Sequence, residues 1–221
     1  MQRKLSAGAA LLAAAAIALL AGCGSSGGGS KTTTAAAKSP VPLGPAFGSM
    51  SKLPGILETP PPWLANNADK TLQLRLRAIG LDPLTAEGQV VHIHQHLDLY
   101  VDGKPITIPS EIGISASQAF ISDLHTHDAT GIMHVESPTA ASFSLGQFFA
   151  VWGVRLDANC VGSLCAAGDK RLSVWVNGKP VAADPTRIVL AEHQEIVLAF
   201  GTPAQDPSPV PKTYDFAAAG L

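Results

Sequence analysis

Three histidines stand at alternate positions in the stretch VHIHQHLDLY. They are His92, His94 and His96, and Asp98 and Tyr100 follow at the same interval. Because strand side chains alternate between two faces, this spacing places all five on one face and mainly apolar residues on the other. Alternate strand residues lie about 6.6 Å apart, so two imidazoles can lean towards one ion at about 2.0–2.1 Å each.

A second group of histidines follows in DLHTHDATGIMHVES. His125 and His127 share a strand face, and His134 shares a face with Glu136. If Asp128–Gly131 forms a tight turn, the two segments are hairpin partners whose histidines lie near one another across the strands. Pairing of either segment beside the first strand would assemble three strands that bear imidazoles.

These side chains predict a metal site. The candidate ligands are His92, His94, His96, His125, His127, His134 and Glu136. Asp98 and Asp128 are candidates to accept imidazole N–H groups and so fix the ring tautomers. Imidazole and carboxylate donors suit several transition metals, and we expect copper or zinc. His193, among acidic residues in AEHQEI, is expected to be an exposed loop residue.

Other interpretations of the same residues remain open. A histidine-lined polar groove needs no metal, and clustered imidazoles could instead form a pH-responsive surface. A metalloenzyme would use three imidazoles to hold the ion and an open position to activate water or oxygen, with Glu136 as acid or base. A metal-free interaction module in the cell envelope is the remaining alternative.

The elements that must position the histidines are mainly strands. We predict a strand over Val90–Val101 and another from Gln194, with hairpin turns at Asp102-Gly103 and Asn177-Gly178. The earlier segment ANNADKTLQLRLRAIG fits a helix that ends near Gly80, although its leucines also alternate as in a strand.

One helix is strongly indicated in FSLGQFFAVWG. Ser144 and Gln147 form a capping-box pair, and Gly153 is a natural stop. The large apolar side chains of the helix fall on one face and are expected to be core: Leu145, Phe148, Phe149 and Trp152. The predicted fold class is therefore mainly β (α+β), an antiparallel sheet or sandwich with hairpins and one or two packed helices.

The N-terminus, MQRKLSAGAALLAAAAIALLAGC, has the pattern of an export signal, a basic start followed by an apolar run too short for a comfortable membrane span. It ends in LAGC, which resembles the lipobox of bacterial lipoproteins. That resemblance implies cleavage before Cys23, a lipid on Cys23, and an anchor on the extracytoplasmic face of a membrane in the cell envelope. We therefore expect a signal peptide at 1–22, a lipidated tether at 23–62 and a β-rich domain at 63–221. An ordinary secretory signal is the alternative.

The remaining cysteines, Cys160 and Cys165 in NCVGSLC, are expected to form a disulfide, since exported domains enter oxidising compartments. A thiolate metal site is the rival interpretation. The net charge of −2 and the lack of a basic patch argue against nucleic acid as a partner. The expected partners are the membrane, through the lipid, and a metal ion.

The histidine motifs, the SLGQFFAVWG helix and VWVNGKP together resemble a set of exported bacterial and archaeal proteins of uncharacterised activity, over roughly residues 72–201. This resemblance supports the domain unit and implies no reaction. The strand-borne His-x-His is also similar to the first motif of cupins. The glutamate that cupins place shortly afterwards is missing, because Tyr100 and Val101 stand there.

Overall fold

The alternating stretch that carries the first three histidines forms the longest strand that the structure describes. A computed structural model describes residues 41–221. Within these residues, the α-helices are α1 (Asp69–Ala78) and α2 (Leu145–Trp152). The strands are β1 (Val91–Val101), β2 (Lys104–Ile106), β3 (Leu124–His125), β4 (Ile132–Ser137), β5 (Cys160–Val161), β6 (Leu164–Cys165), β7 (Arg171–Val176), β8 (Lys179–Pro180) and β9 (Gln194–Gly201).

Within this part of the chain, seven strands form one mixed sheet in the order β3-β4-β1-β9-β7-β8, with β2 paired to the end of β1. A two-stranded sheet, β5 with β6, carries the Cys160–Cys165 disulfide. The predicted mainly β fold class and the predicted disulfide are confirmed. One feature differs from the expected antiparallel arrangement, because β1 and β9 run parallel. The residues between them form the remainder of the sheet and α2, so their pairing is not a local hairpin.

Both predicted hairpin turns are present. Asp102 and Gly103 have φ of 48° and 76°, and Asn177 and Gly178 have φ of 51° and 71°. Two successive positive φ angles are what a two-residue hairpin turn of this kind requires, and Asp-Gly and Asn-Gly supply them with little strain. The turns pair β1 with β2 and β7 with β8.

The helices also follow the predicted boundaries. In α2, the Ser144 hydroxyl accepts a hydrogen bond from the backbone N–H of Gln147, whose side chain accepts one from the backbone N–H of Ser144. Gly153 ends the helix with φ of 83°. The four large apolar side chains of α2 are fully buried. The predicted capping box, glycine stop and core face are therefore confirmed, as is the helix before Gly80.

Part of the expected tether packs on the domain. Leu43 pairs with Ile188, and Leu57 pairs with Val154, through isolated bridges. Met50 is buried. Met50 belongs to the hydrophobic core, and Leu43 and Leu57 pack against it, so the folded part of the described chain begins before residue 63. Cys23 and the whole lipobox lie outside the described residues. Within residues 41–221, no helix is both long enough and apolar enough to cross a membrane.

Candidate metal centre

Strand register brings the two groups of histidines together. In the antiparallel pair of β1 and β4, His94 lies opposite His134 and His92 lies opposite Glu136. In the pair of β3 and β4, His125 also lies opposite His134. Since side chains at paired positions project to the same face of a sheet, the three neighbouring strands present imidazoles on one surface. This is the three-strand arrangement that the spacing predicts.

The imidazole rings on this surface form a continuous cluster. The ring of His134 lies 4.7 Å from that of His94, 5.2 Å from that of His125 and 4.6 Å from that of His127, measured between centroids. The rings of His92 and His94 are 4.9 Å apart. We call these five histidines and Glu136 the histidine platform. Burial differs among these side chains: His92 and His127 are 44% exposed, whereas His125 is fully buried.

Glu136 lies at the centre of the platform. Its Oε1 is 3.0 Å from Nδ1 of His134, 3.4 Å from Nε2 of His92 and 3.8 Å from Nε2 of His125. The side chain is only 3% exposed, and its Oε2 is buried without a hydrogen-bond partner in the described part of the chain. Burial, together with the negative charge of nearby Glu87, raises the pKa of Glu136 to about 7.

The buried imidazoles are held neutral. Nδ1 of His125 lies 3.0 Å from the carbonyl oxygen of Ser122, which only accepts, so Nδ1 donates and Nε2 keeps its lone pair. Burial lowers the pKa of His125 to about 3 and, with the charge of His127, that of His134 to about 4. Neutral imidazoles with free lone pairs are the form that binds metals.

Two sets of ligand atoms on the platform are spaced to hold an ion. Within each set, one donor atom from every residue lies within 4.8 Å of the others. The first set is His125, His127, His134 and Glu136; the second is His92, His94 and Glu136. In these sets, the buried Nε2 atoms of His94 and His125 have no hydrogen-bond partner among residues 41–221. Unpartnered nitrogens of this kind are suited to bind a metal ion.

His96, a predicted ligand, stands apart from the platform. Its Nδ1 is 2.9 Å from the carboxylate of Glu195, and its Nε2 is 2.9 Å from the carbonyl oxygen of Thr130. Because both partners accept, both ring nitrogens donate. Burial alone would lower the pKa of His96, but the hydrogen bond and charge of Glu195 outweigh it and hold that pKa above its usual value. His96 therefore forms a separate group with Glu195 and Asp98.

The remaining positions singled out in the sequence make their contacts outside the platform. Asp98 lies near the His96 group and not beside the five platform histidines. The hydrogen bonds of Asp128 go to the backbone N–H and the hydroxyl of Thr130, so its carboxylate shapes the β3–β4 loop rather than orienting an imidazole. His193 is exposed, as predicted, and its ring stacks on Phe216 at 4.5 Å.

Glu87 and Glu195 are site residues that sequence reasoning did not identify. Oε1 of Glu87 is 3.3 Å from Nε2 of His127. The loop that carries Glu87 runs directly against β4, because a Cβ at Gly88 would lie 2.0 Å from the backbone carbon of Ser137. Gly88 is therefore the local signal of a close approach, whereas the position of Glu195 depends on the parallel pairing of β9 with β1.

A cavity of about 540 Å³ opens beside the platform. His127 and His134 line one side, and Tyr214, Asp215 and Leu221 of the C-terminal segment line another. The ring of Tyr214 stacks on that of His96 at 4.0 Å, which fixes this segment next to the histidines. The cavity gives small molecules access to two platform imidazoles.

Comparisons of the chain with protein-family models, with curated proteins and with solved structures found no match.

Proposed function

We propose that this protein is a lipid-anchored, extracytoplasmic metal-binding protein that captures, buffers or delivers copper or zinc. The observation that carries the proposal is the set of buried, unpartnered atoms on one surface: Nε2 of His94, Nε2 of His125 and Oε2 of Glu136. A buried polar atom without a partner costs about 1–3 kcal/mol. A bound cation would offset this penalty at the atoms that coordinate it.

The donor chemistry favours zinc or copper. His125, His127, His134 and Glu136 supply three imidazoles and one carboxylate, and zinc is almost always held by four ligands in structural sites. Copper(II) also accepts imidazole and oxygen donors. The cysteines Cys160 and Cys165 are bridged to each other, so they offer no thiolate.

The location and the membrane partner are proposed from the sequence. The LAGC lipobox supports lipidation of Cys23 and an anchor in the cell envelope, and two or more acyl chains would bind a bilayer stably. A disulfide agrees with export to an oxidising compartment. In this setting the domain would meet metal ions that enter or leave the envelope, and nucleic acid is not an expected partner.

A second candidate function is a metalloenzyme, and the cavity beside His127 and His134 favours it. An ion held there with one position open to the cavity would polarise a bound molecule or activate water. Capture predicts that the ion is retained without turnover, whereas an enzyme requires that a cavity-sized substrate be converted at a rate that disappears when the ion is removed.

Metal titration tests the proposal. The full chain is purified in detergent without a polyhistidine tag, stripped with a chelator, and titrated with Zn²⁺ or Cu²⁺. We expect binding below micromolar Kd, and a loss of affinity of roughly 10-fold or more in His125→Ala. His193→Asn is the matched control, since His193 is exposed, belongs to neither platform set and has a positive φ that Asn tolerates. A wild-type chain that binds neither ion refutes the proposal.

A further inference from the structure

We infer that Glu136 joins two adjacent ion sites, so that the histidine platform holds a pair of metal ions bridged by one carboxylate. This inference rests on the proposed metal-binding function and adds the number of ions and the residue that couples them. Its basis is the sharing of Glu136 between the two sets of ligand atoms.

The platform has more metal-ligand atoms than one zinc ion uses. The first set already offers four ligands, which is the number that zinc prefers. His92 and His94 remain, and both lie on β1, on the opposite side of β4 from β3. They form the second set with the same carboxylate. A single ion in the first set would leave these two imidazoles without a role.

The unpartnered atoms are distributed between the two sets. Nε2 of His125 belongs to the first set and Nε2 of His94 to the second, while Oε2 belongs to the shared Glu136. His94 is 8% exposed and His125 is fully buried, so water reaches neither nitrogen readily. One ion could satisfy only one of these nitrogens together with the carboxylate. Two ions would satisfy both.

The local charges also suit a pair of cations. In two-metal sites the ions lie roughly 3.5–4 Å apart, and their repulsion must be offset by anionic ligands. Glu136 lies between the sets, and Glu87 adds a second carboxylate 3.3 Å from Nε2 of His127. A carboxylate has two oxygens and can therefore contact both ions, which a neutral imidazole cannot do. Glu136 is thus the residue whose removal should uncouple the pair.

Stoichiometry separates this inference from the proposed function. Metal-stripped full chain is loaded with Zn²⁺, freed of excess ion by gel filtration, and analysed for zinc per chain. We expect two ions in the wild type and in His193→Asn. We expect one ion in the double variant His92→Ala/His94→Ala and one in His125→Ala/His127→Ala. Circular dichroism of the metal-free variants checks that each is folded, and an unfolded double variant is replaced by the single variant His94→Ala.

Electron paramagnetic resonance of the copper(II)-loaded chain tests the bridge itself. Two copper ions joined through one carboxylate interact magnetically and give a half-field signal, which should be absent from His92→Ala/His94→Ala and weakened in Glu136→Gln. One ion in the wild type, unchanged by His92→Ala/His94→Ala, overturns the pair but leaves the proposed function intact. Two ions without magnetic interaction overturn the shared carboxylate. No bound ion refutes both proposals.

Discussion

Replacing Glu136 by glutamine should stabilise the metal-free protein while weakening its metal site. Glu136 is 3% exposed, its Oε2 has no hydrogen-bond partner among the residues that the structure describes, and its pKa is raised by burial from 4.5 to about 7. An ionised carboxylate in this position is therefore unfavourable to folding when no cation is bound. Glutamine keeps the shape of the side chain and removes the charge.

The magnitude follows from the raised pKa. The unfolded chain loses the Glu136 proton near pH 4.5 and the folded chain near pH 7. Between these values the folded state binds the extra proton, so its free energy of unfolding falls as pH rises, by about 1.4 kcal/mol per unit. Above pH 7 the full penalty, about 3 kcal/mol, is present. Glutamine carries no such penalty.

The assay compares thermal unfolding of metal-free wild type and Glu136→Gln at pH 8 and pH 4. At pH 8 the variant should melt about 6–12 °C higher, and at pH 4 the difference should vanish. With zinc at 1,000 times the wild-type Kd, the wild type gains about 4.1 kcal/mol and a site weakened 100-fold gains about 1.4 kcal/mol, so the advantage should disappear. Equal melting of the metal-free proteins at pH 8 would refute the reasoning.

Three further predictions concern the elements that hold the platform. Ser144→Ala removes the cap of α2 and should lower the free energy of unfolding by about 1 kcal/mol in urea, while exposed Ser142→Ala changes little. Arg75→Met leaves buried backbone carbonyls without their donor and should lower the free energy of unfolding by about 2–4 kcal/mol. Exposed Arg77→Met is the control, and equal stability of the two variants would contradict this role. Gly131→Ala adds a Cβ to a residue with φ of 91°, and this Cβ would lie 2.8 Å from a β1 carbonyl oxygen. The substitution should lower the free energy of unfolding in urea by about 1–3 kcal/mol, and a loss below about 0.5 kcal/mol would refute the strain.

Local patterns predict the parts of this protein that depend on neighbouring residues. The Asp102-Gly103 turn and the capping box at Ser144 are present because turn and cap chemistry act over a few positions. The alternation of His92 and His94 fixes their common face, and the short β3–β4 connection makes pairing of His125 with His134 the simplest topology.

Contacts between distant segments could not be predicted in this way. His96 shares its alternation with His94, yet it binds Glu195, a residue brought opposite it by the parallel strand β9. Glu87 reaches His127 from a loop before β1, and nothing in its own sequence apart from Gly88 indicates the approach. The sequence defines which side chains share a face, whereas the order of the strands decides which of them meet.

The platform is held by the backbone of the sheet, and this affects how a carrier would release its cargo. Most of its imidazoles stand on strands that are hydrogen-bonded to one another and backed by the hydrophobic core. Zinc fingers, by contrast, unfold when their ion leaves. A carrier built on a sheet can empty and refill repeatedly in the folded state, so that handover of the ion requires only ligand exchange at an open edge.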